Sequence, residues 1–163
     1  MRDYQSPPKC IDKIYMEWYE TYKRIGRFKT ENGLDIALCF PKPLIYGLDD
    51  GDILYLDSKF GIIVEIVPCE VLSIQWGNKL EIAKLCYEIG NAHIPLFVSS
   101  LKNEFYIPYE KTLENTLTKL GFLTEKILTK LHPKQRFYVS LPILPEPRFI
   151  LSPDFKITIK TAH

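Results

Sequence analysis

Histidine is nearly missing from this 163-residue chain, which has His93, His132 and His163 and no others. There is no His-x-His and no His-Glu-x-x-His. There is no Gly-x-Ser-x-Gly elbow and no glycine-rich phosphate loop. A hydrolase or a nucleotide enzyme is therefore not expected, and neither is any catalytic role. A metal site built by one chain needs three or four ligands, and suitable residues at suitable spacing are too few. Charge of one sign is also absent, since 21 Lys+Arg face 20 Asp+Glu for a formal net charge of +1. That excludes binding to nucleic acid mainly by phosphate neutralisation and polybasic binding to membranes. No apolar run approaches the ~20 residues of a membrane helix. The opening stretch Met1-Arg2-Asp3-Tyr4-Gln5-Ser6-Pro7-Pro8 has no apolar core, so no secretion signal is expected and a cytoplasmic location is.

Four cysteines stand at 10, 39, 69 and 86, with no Cys-x-x-Cys pair. Neither a zinc knuckle nor a thioredoxin-type motif follows, and reduced thiols are expected. Cys39 and Cys86 lie in apolar stretches, so both are expected as core filler. What the chain does have is the composition of a folded domain, 46% hydrophobic and 25% charged.

The first half reads as β. Glu31-Asn32-Gly33 is a turn signal between Arg24–Thr30 and Asp35–Phe40, because Asn-Gly tolerates positive φ. Asp49-Asp50-Gly51-Asp52 is a second turn, followed by strands at Ile53–Leu56 and Phe60–Val67. From about residue 70 the pattern changes. Glu70–Gln75 reads as a strand and Asn78–Asn91 as a helix, with Ile82, Cys86 and Ile89 at i, i+4 and i+7. Short strands follow at Pro95–Val98 and Glu104–Ile107. A second helix carries Leu113, Leu117 and Leu120 and ends at Gly121, and Phe122–Thr129 is a last strand. The expected fold class is α+β: an N-terminal all-β domain at 1–75, a ferredoxin-like βαββαβ domain at 76–132, and a Pro-rich extended tail at 133–163. In that tail Phe137–Val139 and Phe155–Ile159 could each pair with a sheet edge.

His93 extends the stripe 82, 86, 89 by one turn, just past Gly90-Asn91. It reads either as a capping histidine near the last carbonyls or as a ligand shown at a helix end. As a ligand it would meet its own copy across a two-fold axis, and nickel, zinc and copper all suit a neutral imidazole. His132 before Pro133 reads as an exposed loop residue. His163 reads as a solvated end or as an arm that adds a ligand. Asp49-Asp50-Gly51-Asp52 invites a calcium reading but lacks the EF-hand spacing, so it reads as a turn. Tyr15, Trp18, Tyr19 and Tyr22 read as one aromatic strand, core on one side and peptide-contacting on the other. With few interleaved basic residues they make a poor base-stacking platform.

The stretch Cys86-Tyr87-Glu88-Ile89-Gly90-Asn91-Ala92-His93 resembles the Gly-Asn-x-His signature of the UreE family of urease nickel metallochaperones. Arg24–Thr30 and Gly33–Leu38 resemble the family's N-terminal strands. Leu48-Asp49-Asp50-Gly51-Asp52-Ile53-Leu54 matches its Leu-x-x-Gly-Asp-x-Leu turn, and Pro108-Tyr109-Glu110 with Leu120-Gly121 matches its second metal-domain helix. The similarity covers about residues 15–130.

The resemblance implies a homodimer that holds Ni²⁺ at its interface through His93, with zinc and copper able to compete. It implies a partner- or peptide-binding β domain. It implies delivery of nickel through the urease GTPase to apo-urease in complex with its other accessory proteins. The sequence departs from the pattern in having no His-rich tail, and Pro142-Ile143-Leu144-Pro145-Glu146-Pro147 carries no histidine where some short-tailed members have one. The second ligand is then His163 or none, and a second His93 pair would close the site in a metal-bridged tetramer. Two other classes stand beside this one. A protein-interaction adaptor with a weak or lost metal site is one. A single-stranded RNA binder on the ferredoxin-like sheet is the other, and neither an RNP1-like run nor a basic stripe supports it.

Overall fold

The computed structural model describes residues 10–101, 103–138 and 156–160. Contacts divide the chain into two compact units. One is Met1–Val67 with Leu144–His163; the other is Pro68–Ile143. The division falls after Val67, earlier than the boundary at 75 drawn from the sequence. The reason is that the strand Cys69–Gln75 is the hub of the second sheet rather than the end of the first unit.

The first unit holds two three-stranded sheets. Strands β1 (Cys10–Met16), β5 (Phe60–Ile66) and β4 (Ile53–Leu56) form one, in the order β1-β5-β4. β1 runs parallel to β5 with Ile14 beside Val64, and β4 is antiparallel to β5 with an irregularity between Ile53 and Tyr55. The other sheet is β10-β3-β2, with β2 at Ile25–Lys29, β3 at Asp35–Cys39 and β10 at Lys156–Lys160. The β2–β3 hairpin forms at the Asn-Gly signal, where Gly33 takes φ +87° and a left-handed backbone is open to glycine. Period-two burial puts Ile14, Met16, Ile36, Leu38, Leu54, Ile62 and Val64 in one core. β10 is the edge pairing expected at Phe155–Ile159, and it lies antiparallel to β3 with Lys160 opposite Asp35.

The aromatic segment departs from expectation. β1 ends at Met16, and Trp18, Tyr19 and Tyr22 lie on a turn that closes through a 3₁₀ segment, Glu20–Tyr22. Side chains compete for the backbone here: Thr21 Oγ1 donates to the Trp18 carbonyl at 2.7 Å, and the Glu17 N–H donates to Glu20 Oε2 at 3.2 Å.

The second unit is the ferredoxin-like βαββαβ domain. Its strands are β6 (Cys69–Gln75), β7 (Phe97–Val98), β8 (Glu104–Pro108) and β9 (Leu123–Thr129). Helix α1 (Lys79–Asn91) follows β6, and α2 (Lys111–Lys119) follows β8. The strand order is β7-β8-β6-β9 with every pairing antiparallel. Leu72 and Ile74 of β6 and Ile107 of β8 meet Leu85 and Ile89 of α1 and Leu113 and Leu117 of α2, so both helices cover one face. On β6 the neighbouring Ser73 is also buried, and its Oγ donates to Glu104 Oε1 at 2.5 Å. Ser99 Oγ donates to the other carboxylate oxygen at 2.6 Å. Burial pushes the Glu104 carboxyl up, but the hydrogen bonds of Ser73, Ser99 and Tyr106 outweigh it and leave it below the ordinary value.

After β9 the chain passes through buried Leu131 and Pro133 and returns to the opposite edge of the sheet. There Arg136 bridges Phe97, and the Phe137 N–H donates to the Leu96 carbonyl at 2.7 Å. The edge pairing expected at Phe137–Val139 thus occurs one residue early. Pro142–Pro147 and His163 lie outside the described residues.

Candidate metal centre

Helix α1 begins where its sequence says it should. Asn78 is the N-cap, its Oδ1 accepting from the N–H groups of Leu80 (3.0 Å) and Glu81 (3.1 Å). Glu81 reaches back, accepting from Asn78 Nδ2 at 2.7 Å and from the N–H of Gly77, the residue before the N-cap, at 2.6 Å, a variant of the capping box in which the preceding N–H is the one satisfied. Leu85 and Ile89 then turn to the core. Cys86, one position round from Leu85, is exposed, and so is Cys39. The expectation that both are core filler is overturned. The inward face of α1 is centred on 85 and 89, and Cys39 is an outward residue at the end of β3. The partial burial that remains pushes the Cys86 thiol up.

The end of α1 decides where His93 sits. Ala92 is the C-cap, with φ −77° and ψ −4°. His93 follows in the left-handed region at φ 56°. Its N–H donates to the Gly90 carbonyl at 3.0 Å, and the Ile94 N–H donates to the Ile89 carbonyl at 3.3 Å. These two bonds are the Schellman closure of a helix. Ile94 packs against the core cluster that contains Ile89, which is the apolar contact that accompanies the motif. The His93 side chain is exposed and makes no hydrogen bond or ion pair with any described residue.

Helix α2 ends in the same way with a different residue. Leu120 is the C-cap and Gly121 takes φ +88°. The Gly121 N–H donates to the Thr118 carbonyl at 3.0 Å and the Phe122 N–H to the Leu117 carbonyl at 3.1 Å. The expected helix stop at Gly121 is therefore present, and His93 occupies the corresponding place on α1. That equivalence went unread in the sequence. Its signal is the alignment of Leu117–Phe122 with Ile89–Ile94.

The other candidates fare differently. His132 is half-buried ahead of Pro133, and its carbonyl accepts from the Gln135 N–H at 2.9 Å. His163 lies outside the described residues. The acidic loop spends its carboxylates on backbone: Asp50 Oδ1 accepts from the Ile66 N–H at 2.5 Å, Asp52 Oδ2 from the Asp49 N–H at 2.7 Å, and Asp49 Oδ1 from the Asp50 N–H at 2.8 Å. Among the described residues no three His, Cys, Asp or Glu side chains gather to hold a metal ion. Among the described residues, the one exposed imidazole is therefore that of His93, on a capped helix end.

Fold and site together define an α+β protein with an all-β unit followed by a ferredoxin-like unit that displays one histidine. Residues 2–67 match the N-terminal domain, and residues 69–140 the C-terminal domain, of the family described as UreE urease accessory protein. The chain is 41% identical over 162 residues to the urease accessory protein UreE of Helicobacter pylori (strain ATCC 700392 / 26695), covering 98% of this chain and 95% of that one. It is 38% identical over 159 residues to the UreE of Helicobacter hepaticus, covering 98% and 91%, and 40% identical over 162 residues to that of Helicobacter acinonychis, covering 98% and 95%. The chain belongs to the UreE urease accessory protein family.

Proposed function

We propose that this protein is a metallochaperone of urease maturation. It binds Ni²⁺ through His93 at the interface of a homodimer and passes the ion, through the urease GTPase, to apo-urease. The observation that carries this reading is the unspent, exposed imidazole on a capped helix end. One imidazole per chain is too little for a metal, and a two-fold axis doubles it. Two imidazoles leave an incomplete shell, open to water, to His163, to a second His93 pair in a tetramer, or to a receiving partner. An open shell suits a protein whose cargo must leave. Zinc and copper compete for the same nitrogen donors. Cytoplasmic action and the absence of a catalytic role follow from the same reading.

The test is nickel titration by calorimetry on the wild type and on His93→Ala, with mass followed by light scattering. Loss of the tight site, at about one ion per dimer by the isologous geometry, is the expected result for the variant. An unchanged titration would remove His93 from the site. It would favour the second reading, an assembly adaptor that recruits the GTPase equally well with and without nickel.

A further inference from the structure

The two helices of the second unit end in the same hydrogen-bond pattern, one on Gly121 and the other on His93. Glycine is the residue that takes a left-handed backbone without a steric cost, and an L side chain there works against its own Cβ. Histidine is among the few other residues that enter this region more often than average. We infer that position 93 is by its backbone a glycine position, that histidine occupies it at the expense of fold stability, and that Ile94 is the positioning residue that holds it there. The backbone part stands on geometry alone. Only the reason for retaining the ring rests on the metal reading above.

The geometry assigns a use to the cost. A left-handed residue inside a closed Schellman pair has its φ and ψ fixed by two hydrogen bonds, one of its own N–H and one of the next residue. The direction in which the Cβ leaves the chain is therefore fixed as well. A ligand on a loop must be ordered when the metal arrives, whereas a ligand on this cap is ordered in advance, which strengthens binding by lowering that entropic cost. Ile94 supplies the anchor, because its side chain is packed on the core while its N–H closes the outer bond.

Thermal melts of His93→Gly and His93→Ala separate the contributions. The glycine variant should melt no lower than the wild type. The alanine variant should melt below the glycine variant by about 2–4 °C, the shift expected for a backbone effect in a chain of this size. An alanine variant as stable as the glycine variant would overturn the inference, because the backbone would then not be a glycine position. A glycine variant that melts below the wild type would overturn it too, since the imidazole would then be supporting the fold.

Nickel titration on the same proteins reads the ligand separately. Both variants should lose the tight site, and retention would refute the metal reading while leaving the melting order as evidence on the cap. Ile94→Ser tests positioning. With the ring still present, nickel affinity should fall several-fold in folded protein, and Ile94→Val should restore it. Unchanged affinity in Ile94→Ser would show that the cap does not position the ligand.

Discussion

The acidic loop at 49–52 and the helix end at 93 both carry side chains that bind metals in other settings, and they have opposite fates. In the loop, Asp49, Asp50 and Asp52 are turned onto backbone N–H groups, and Asp50 ties the loop to the last residue of β5. At the helix end, two main-chain hydrogen bonds satisfy the backbone without help from the His93 side chain. A side chain is available for ligand chemistry only after the local backbone has taken the donors and acceptors it needs. Three carboxylates at close spacing are therefore weaker evidence of a metal site than one imidazole on a self-sufficient cap.

The comparison can be broken most forcefully at Asp50. Asp50→Ala should strip the Ile66 N–H of its acceptor and cost about 1–3 kcal/mol, measured by denaturant unfolding, while nickel binding stays as in the wild type. A nickel effect from Asp50→Ala would put the loop back among the candidate sites.

Two glycines sharpen it further, because they should respond with opposite signs. At Gly121 the backbone is left-handed and a Cβ would meet nothing within 4 Å. Gly121→Ala should therefore cost about 1 kcal/mol through backbone strain alone. Gly90 lies exposed inside α1 and a Cβ there would also meet nothing within 4 Å. Gly90→Ala should stabilise the monomer fold by about 0.5–1 kcal/mol. Equal effects at both would mean that φ does not govern these positions.

The smallest effect is that of acid. The Asp57 carboxyl is held below its ordinary value first by the Lys59 N–H, and that of Glu110, the N-cap of α2, first by the Thr112 N–H. A lowered folded pKa gives stability that is present above the ordinary carboxylate range and is lost as pH falls through the folded value. Melting temperature should decline modestly from neutral pH into that range. Nickel binding should weaken in acid as well, since protons compete with metal for imidazole. Stability that rises on acidification would contradict these assignments.

Much of the second unit was legible because its signals are local. The apolar periods marked the extents of α1 and α2, and Gly121 marked the end of α2. The hairpin at Asn32-Gly33 was legible for the same reason. The parallel pairing of β1 with β5 was not, since it joins residues some fifty positions apart and no short motif announces it. The helical stripe misled at Cys86, because 82, 86 and 89 fall at i, i+4 and i+7 as a buried face would, while the inward pair is Leu85 and Ile89, one position round. The aromatic run at 15–22 misled because residues suited to a strand were overruled by hydrogen bonds of Thr21 and Glu20. His93 was found from its place after a helix, but its left-handed backbone became visible only in three dimensions.

The pairing of β10 with β3 has a consequence for the order of events on the ribosome. The first unit emerges first, yet its second sheet lacks an outer strand until Lys156–Lys160 has been made. At the usual 5–20 residues per second, about 6–23 seconds separate β3 from the strand that flanks it. Over that interval the second unit can be synthesised whole. The half of the molecule that is translated first is thus the half that is completed last.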